Sequence, residues 1–128
     1  MGDDFGKLVL RVALGLLMLL HGVAKLKGGI GFLEPILVKT GLPVWVAYGV
    51  YLGEILGPLM VILGLFTRTG ALLIFVNMIF AIFLVHAHEL TLLNKQGGWE
   101  LELQGMFLFT AFALMFMHPG RYAITRKW

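Results

Sequence analysis

Glu54 is an acidic residue about halfway through an otherwise apolar stretch, 44–66, that is long enough to cross a membrane. A charged carboxylate at a bilayer centre costs roughly 2.5–3.5 kcal/mol on insertion scales, so it normally faces protein or water and has a partner. Counting depth along four apolar stretches brings further polar side chains to the same membrane half as Glu54. These candidates for ligand binding or proton relay are His21, Lys25, Tyr51, His86, Glu100 and Gln104.

The chemistry that these side chains favour is proton exchange and hydrogen bonding to a polar headgroup. Imidazoles titrate near neutrality, and a carboxyl group can act as proton donor or acceptor. His21 and Lys25 share one helix face because they are four residues apart, and Glu100 shares a face with Gln104 for the same reason. Whether His86 or His88 faces the interior stays open at this point.

A structural interpretation of the same residues competes with the functional one. Glu54 could pair with His21, Lys25 or Arg11 and hold the helices in register. Asn77 is predicted to form an interhelical hydrogen bond, and both Asn77 and Arg11 are placed deeper, toward the opposite side of the membrane.

Composition identifies the surroundings as lipid. Of the 128 residues, 59% are hydrophobic and 13% are charged, whereas soluble domains have about 45–50% and about 25%. The formal charge of +3 suits contact with lipid headgroups and does not indicate nucleic-acid binding. The absence of cysteine excludes disulfides, thiolate metal sites and electron transfer through thiols of this chain.

The elements that must position these side chains are four apolar helices in a single domain, 1–128. The predicted spans are 5–26, 44–66, 70–88 and 99–117, with a tight turn at Thr67-Arg68-Thr69. We therefore predict an all-α, integral membrane, antiparallel four-helix bundle. A short helix from Phe32 to Thr40 is predicted to lie at the interface in the first outer loop, where it could cover the bundle.

The distribution of basic residues predicts the orientation. With the termini in the cytoplasm, the inner side carries six Lys and Arg residues and the outer side four, which favours this topology. The inner set is Lys7, Arg11, Arg68, Arg121, Arg126 and Lys127, and the outer set is Lys25, Lys27, Lys39 and Lys95. On the second helix, Gly49, Gly53 and Gly57 form a face that would allow close association with another helix, including one from a second copy.

Several short runs, in order and spacing, resemble the DoxX family over nearly the whole chain. They are Leu10-Arg11-Val12, His21-Gly22 with Lys25-Leu26, Gly41-Leu42-Pro43, Gly53-Glu54 with Gly57, Leu63-Gly64-Leu65 before Thr67-Arg68, Met78 with Ala81-Ile82 and His86, Glu100, and Pro119-Gly120-Arg121-Tyr122. The resemblance implies a four-helix protein of the bacterial or archaeal inner membrane, and it selects Arg11, His21, Lys25, Glu54, His86, Glu100 and Arg121. We assign structural polar roles to Arg11, Asn77 and Arg121.

The resemblance also implies a redox context, since relatives are linked to a membrane subunit of thiosulfate:quinone oxidoreductase and to oxidative-stress complexes. The first function hypothesis is therefore a membrane subunit that binds a quinone-like or lipophilic ligand and receives electrons from a soluble or peripheral redox partner. On this hypothesis the chain is at most one subunit of an oxidoreductase complex. Quinone reduction needs two protons, which His21 and Glu54 could supply.

Three alternatives remain. One is a proton or small-solute carrier formed by an oligomer, in which Glu54, His21 and His86 line a cavity. Another is an assembly or stabilising subunit without a site of its own. The third is a haem with His21 and His86 as axial ligands, or a divalent metal held by these histidines with Glu54 and Glu100, and it is disfavoured because no spacing requires it.

Overall fold

The computed structural model describes residues 2–29, 31 and 34–125, and this part of the chain is helical without a β-strand. Three helices are long and apolar enough to cross a membrane: Gly2–Gly28, Trp45–Leu63 and Thr67–Leu84. The predicted all-α membrane class is confirmed. The last apolar helix, Glu102–Phe116, has 15 residues, fewer than the roughly 20 that a spanning helix needs, so the predicted span 99–117 was too long.

Helix α1, Gly2–Gly28, extends beyond the predicted span 5–26 at both ends. Asp3 and Asp4 lie in its first turn, and Lys25 and Lys27 lie in its last. These charges oppose the helix dipole at each end and stabilise the terminal turns. Lys25 therefore lies in the last turn of a regular helix.

The second apolar stretch is a composite of four helical segments rather than one α-helix. It consists of a 3₁₀ turn (Val44–Tyr48), α3 (Gly49–Tyr51), a π-helical segment (Leu52–Leu56) and α4 (Gly57–Leu63). In the π segment the Gly57 N–H donates to the Leu52 carbonyl, five residues earlier. Pro58 has no N–H, so the Glu54 carbonyl four residues before it lacks its regular α-helical donor. The helix is therefore irregular where it carries Glu54. Short π-helical segments within helices occur frequently at functional sites.

The turn after α4 lies three residues earlier than predicted. Gly64 (φ 72°) and Phe66 (φ 48°) adopt left-handed backbone conformations and end α4 at Leu63. The turn is paired with the C-terminal segment, where the Ile124 and Thr125 N–H groups donate to the carbonyls of Leu63 and Gly64 at 3.2 and 3.0 Å. The predicted turn at Thr67-Arg68-Thr69 was wrong, because Thr67 is already the first residue of α5 (Thr67–Val85).

The loop between α5 and the last helix is ordered by its own hydrogen bonds. After α5 come a 3₁₀ turn, Ala87–Glu89, and a loop in which Asn94 Oδ1 accepts the N–H groups of Gln96 and Gly98, both at 3.0 Å. The Glu100 N–H donates to the Leu92 carbonyl at 2.9 Å. This loop takes Trp99 and Glu100 out of the last helix, α6 (Glu102–Phe116), which therefore begins at Glu102 and not at Trp99.

Helix α2, Glu34–Thr40, covers one end of the molecule. It corresponds to the predicted helix 32–40, of which Phe32 and Leu33 lie outside the described residues. Leu37 is buried and packs with Ala47 of the 3₁₀ turn in a small apolar cluster that also includes Tyr51 and Leu84. This cluster joins α2 to the composite helix and α5.

The long helices form a ring of neighbours. Helix α1 packs against α4 and the π segment, these pack against α5, α5 packs against α6, and α6 contacts α1. The centre of the ring is an apolar cluster composed of Leu14, Met18, Val61, Ala71, Ile74, Met78, Phe107, Ala111 and Leu114. Most of the outward-facing side chains of these helices are large and apolar, as lipid contact requires.

Glycines allow the closest helix contacts inside this ring. A Cβ at Gly22 would collide with the Glu54 backbone carbonyl, a Cβ at Gly53 would collide with Asn77, and a Cβ at Gly57 would lie 2.9 Å from the Gly70 carbonyl oxygen. Gly53 and Gly57 thus pack within the chain. The predicted surface for association with a second copy is wrong at these two positions.

Candidate functional site

An ion pair between Lys25 and Glu54 forms the centre of the site. Lys25 Nζ donates to both carboxylate oxygens of Glu54, at 2.7 and 2.5 Å. The Glu54 side chain is 5% exposed, whereas that of Lys25 is 27% exposed. Of the three partners considered for Glu54, the structure selects Lys25.

Two further side chains form hydrogen bonds with the residues of this ion pair. Asn77 Nδ2 on α5 donates to Glu54 Oε2 at 3.3 Å, and Tyr51 Oη donates to the Lys25 backbone carbonyl at 3.3 Å. The carboxylate of Glu54 therefore links α1, the π segment and α5. The predicted interhelical hydrogen bond of Asn77 is confirmed, but Asn77 lies at the level of Glu54 and not deeper as predicted. The sequence signal for a role at the site was that Asn77 is a polar residue in the middle of an apolar helix.

The larger of two cavities next to this pair has a volume of about 370 Å³ and lies between the composite helix and α5. Its polar lining comes from Lys25, Glu54, Asn77 and His86, and all its other lining residues are apolar or glycine. Its lining includes Leu52, Leu72, Val76 and Phe80, which are also exposed on the outer surface of the helices. In a bilayer, this cavity would open sideways to the acyl chains.

The smaller cavity has a volume of about 140 Å³ and lies on the other side of the same polar residues. It shares Lys25, Glu54, Asn77, Ala81 and His86 with the larger cavity. His21 and Gln104 line only this smaller cavity, together with Met18, Met78, Leu103 and Phe107. The polar cluster thus separates an apolar cleft from a smaller chamber, six of whose eleven lining residues have polar side chains.

His86 and His88 have different positions. His86 lines both cavities, whereas the His88 side chain is 73% exposed. Both rings approach the same Glu89 oxygen, Oε1, with His86 Nδ1 at 3.4 Å and His88 Nε2 at 3.3 Å. Because α5 ends at Val85, helical periodicity does not determine which way His86 points. Sequence reasoning did not include Glu89 in the site, although its position three residues after His86 was a usable signal.

The remaining candidates separate into those that reach the site and those that do not. The His21 ring lines the smaller cavity and stands edge-on to Phe107, with ring centroids 5.8 Å apart. Gln104 lines the same cavity from α6. Glu100 is exposed in the loop before α6 and lines neither cavity, so its predicted convergence with Gln104 is wrong.

Arg11 and Arg121 lie away from the site. Arg11 is fully buried and donates to the backbone carbonyls of Val61, Ile62 and Pro119 at 3.0–3.2 Å. Arg121 is exposed, with its guanidinium 5.9 Å from the Tyr122 ring centroid. Fourteen residues of α1 separate Arg11 from Lys25, which corresponds to about 21 Å of helix. Arg11 thus joins α1 to α4 and to the C-terminal segment at the opposite end of the molecule.

No group of three or more His, Asp or Glu side chains in the described part of the chain has an arrangement that could hold a metal ion. His21 and His86 line the same small cavity, but from different helices.

Comparisons with known proteins give one family model and two relatives that resemble this chain. The DoxX family model matches residues 6–87. The chain is 34% identical over 105 residues to a Bacillus subtilis protein named "Putative oxidoreductase CatD", covering 82% of this chain and 78% of that one. It is 35% identical over 127 residues to a Haemophilus influenzae protein named only as uncharacterized, covering 92% and 87%. No solved structure gives a significant match.

Proposed function

This chain belongs to the DoxX family of membrane proteins, and we propose that it is a redox-associated subunit that binds a quinone-like ligand from the bilayer. The observation that carries the proposal is the larger cavity, which is apolar except where Lys25, Glu54, Asn77 and His86 line it. Ligand sites of 300–1,000 Å³ typically have this composition, apolar walls with a few polar groups that orient the ligand.

The ligand would enter sideways from the acyl-chain region. Its isoprenoid chain would lie against Leu52, Val76 and Phe80, which line the cavity and are exposed on the helix surface. Its ring carbonyls would accept hydrogen bonds from Lys25 and Asn77, which now donate to Glu54. Such a headgroup would thus compete with the carboxylate for the same two donors.

Reduction of this ligand would need two electrons and two protons. Without cysteine in this chain, the electrons would come from a soluble or peripheral redox protein that docks on the membrane surface. The word oxidoreductase in the name of the Bacillus relative agrees with this role. Glu54 and the histidines would supply protons to the ring oxygens.

The placement in the cell belongs to the same proposal. A bacterial or archaeal inner membrane with both termini in the cytoplasm follows from the six basic residues on one side against four on the other. In that orientation the four apolar helices form an antiparallel bundle, α2 lies at the outer interface, and the ion pair lies in the outer half.

Retention of a quinone tests the proposal. Protein purified in mild detergent should yield about one quinone per chain when extracted with solvent and analysed by mass spectrometry. Lys25→Met should reduce the retained quinone about tenfold or more, since a hydrogen bond to a charged group contributes about 1.5–3 kcal/mol. The matched control is Lys27→Met, in the same last turn of α1 but outside both cavities, which should retain the wild-type amount. Extraction of bulk phospholipid alone would contradict the proposal.

A purely stabilising role is the second candidate, because the Glu54 carboxylate joins three helical elements through Lys25 and Asn77. In that case Lys25→Met and Asn77→Leu would lower the resistance to unfolding but leave the quinone content per folded molecule unchanged. The same extraction, normalised to folded protein by size-exclusion chromatography, distinguishes the two roles.

A further inference from the structure

The smaller cavity contains polar groups that ligand binding in the apolar cleft does not use. His21 and Gln104 line this cavity but not the cleft, and His86 lines both. The cavity volume of about 140 Å³ is too small for an isoprenoid ligand but sufficient for several waters, each of which occupies about 30 Å³ in the liquid. Its polar side chains offer such waters the partners that they need.

His86 lies where this cavity approaches the aqueous phase. It caps the end of α5, its side chain is 28% exposed, and the exposed 3₁₀ turn that follows carries Glu89, whose Oε1 lies 3.4 Å from His86 Nδ1. The charged or titratable groups around His86 are Glu89 and His88 on the following turn, Lys25 and His21 on α1, and Glu54 on the π segment. His86 and Glu54 thus line the same small cavity, and His86 also contacts the exposed turn that carries Glu89.

We propose that the smaller cavity is a water-filled proton passage, entered through Glu89 and His86, that sets the protonation of Glu54 from the side of the membrane that carries His86. A proton from the bath binds the Glu89 carboxylate and passes to Nδ1 of His86. The imidazolium releases its Nε2 proton to cavity water, and the Glu54 carboxylate takes one proton from that water. The bath loses one proton and Glu54 gains one, which releases Lys25 from the ion pair.

This inference rests on the proposed function, because the proton delivered to Glu54 is one that a reduced ring oxygen would receive. It also explains the arrangement of two cavities around one carboxylate. A ligand in the apolar cleft closes the route from the lipid side, so protons must arrive from the polar chamber. The sidedness of proton access can be measured without any quinone.

The experiment uses the full chain in quinone-free phosphatidylcholine vesicles with the pH set separately inside and outside. A membrane-permeant carbodiimide reacts only with protonated carboxyl groups, and mass spectrometry quantifies its adduct at Glu54. Cleavage by external trypsin after the exposed Lys95 reports the fraction of molecules whose His86 end faces the bath. Glu54→Gln establishes which adduct is specific.

Labelling of Glu54 should follow the pH on the His86 side, falling about tenfold per pH unit once the carboxyl is mostly ionised. In His86→Phe this dependence should be lost, whereas His88→Phe should behave as wild type; His86→Gln replaces the first variant if it does not fold. Labelling that follows the pH of the opposite side would overturn the proposal, as would a His86 variant that retains the wild-type dependence. Either result leaves the quinone extraction unaffected, so the two proposals fail separately.

Discussion

The Cα of Gly22 lies so close to the backbone carbonyl of Glu54 that an added Cβ would collide with the carbonyl oxygen and carbon. Gly22 is buried on the same face of α1 as Lys25, close to the end of the helix. This contact fixes the distance between α1 and the π segment. The ion pair between Lys25 and Glu54 can form only because the two backbones approach closely there.

Gly22→Ala should therefore separate α1 from the π segment and destabilise the protein by about 1–3 kcal/mol, the usual cost of overpacking. Unfolding in a sodium dodecyl sulfate titration measures the effect. The control is Gly6→Ala on the same helix, where nothing lies within 4 Å of the added Cβ. The control should be stabilised by about 0.5–1 kcal/mol, because alanine is the better helix former. Equal effects of the two substitutions would contradict the close contact.

Lys25 and Glu54 should show strong energetic coupling. Lys25→Met leaves a nearly buried carboxylate without its cation and should cost about 1–3 kcal/mol, below the value for a fully buried pair because Lys25 is partly exposed. In Lys25→Met with Glu54→Leu, much of that loss should be recovered. The double-mutant cycle is measured by unfolding in detergent, and additive effects would show that the two side chains do not interact.

Arg11 should be among the most sensitive positions for stability. Arg11→Met removes the donors to the carbonyls of Val61, Ile62 and Pro119. The expected loss is about 3 kcal/mol or more, because each bond is assisted by charge. Lys7→Met, one turn earlier on α1, is the control and should change thermal unfolding in detergent little. The quinone content per folded Arg11→Met molecule should stay at the wild-type level, since Arg11 lies far from both cavities.

Filling the larger cavity should remove the ligand without disturbing the fold. Gly49 lines this cavity and has nothing within 4 Å of an added Cβ. Gly49→Leu should therefore lower the extracted quinone at least about tenfold, which corresponds to about 1.4 kcal/mol of lost affinity, with little change in the melting temperature. Gly6→Leu, an equally open position outside the cavity, is the matched control. An unchanged quinone content in Gly49→Leu would place the ligand elsewhere.

Several site residues could be found from the sequence because their depth and face depend mainly on local helix geometry. Lys25 and His21 lie on one regular helix, so counting residues from its end was sufficient. Glu54 was conspicuous because a carboxylate in an apolar stretch is costly. Gln104 was placed correctly because α6 is regular where it occurs.

The errors arose at helix ends. Helix α5 begins and ends three residues earlier than predicted, which moves Asn77 about 4.5 Å toward the level of Glu54. In the loop between α5 and α6, the Glu100 N–H donates to the Leu92 carbonyl, so Glu100 is not part of the last helix. Helix ends depend on hydrogen bonds with distant segments, and apolar periodicity does not record those bonds.

By itself, the sequence determined that the chain is an all-helical membrane protein and that Glu54, Lys25 and His21 lie in one half of it, because burial in lipid requires apolar helices and makes charged exceptions conspicuous. Only the tertiary structure decided that Lys25 is the partner of Glu54, that Asn77 joins them and that His86 faces the cavities. These choices depend on contacts of a few ångströms between helices, set by Gly22, Gly53 and the π segment. These glycines and the π-helical segment determine which polar groups meet. The pattern of charged residues in the sequence does not indicate their effect.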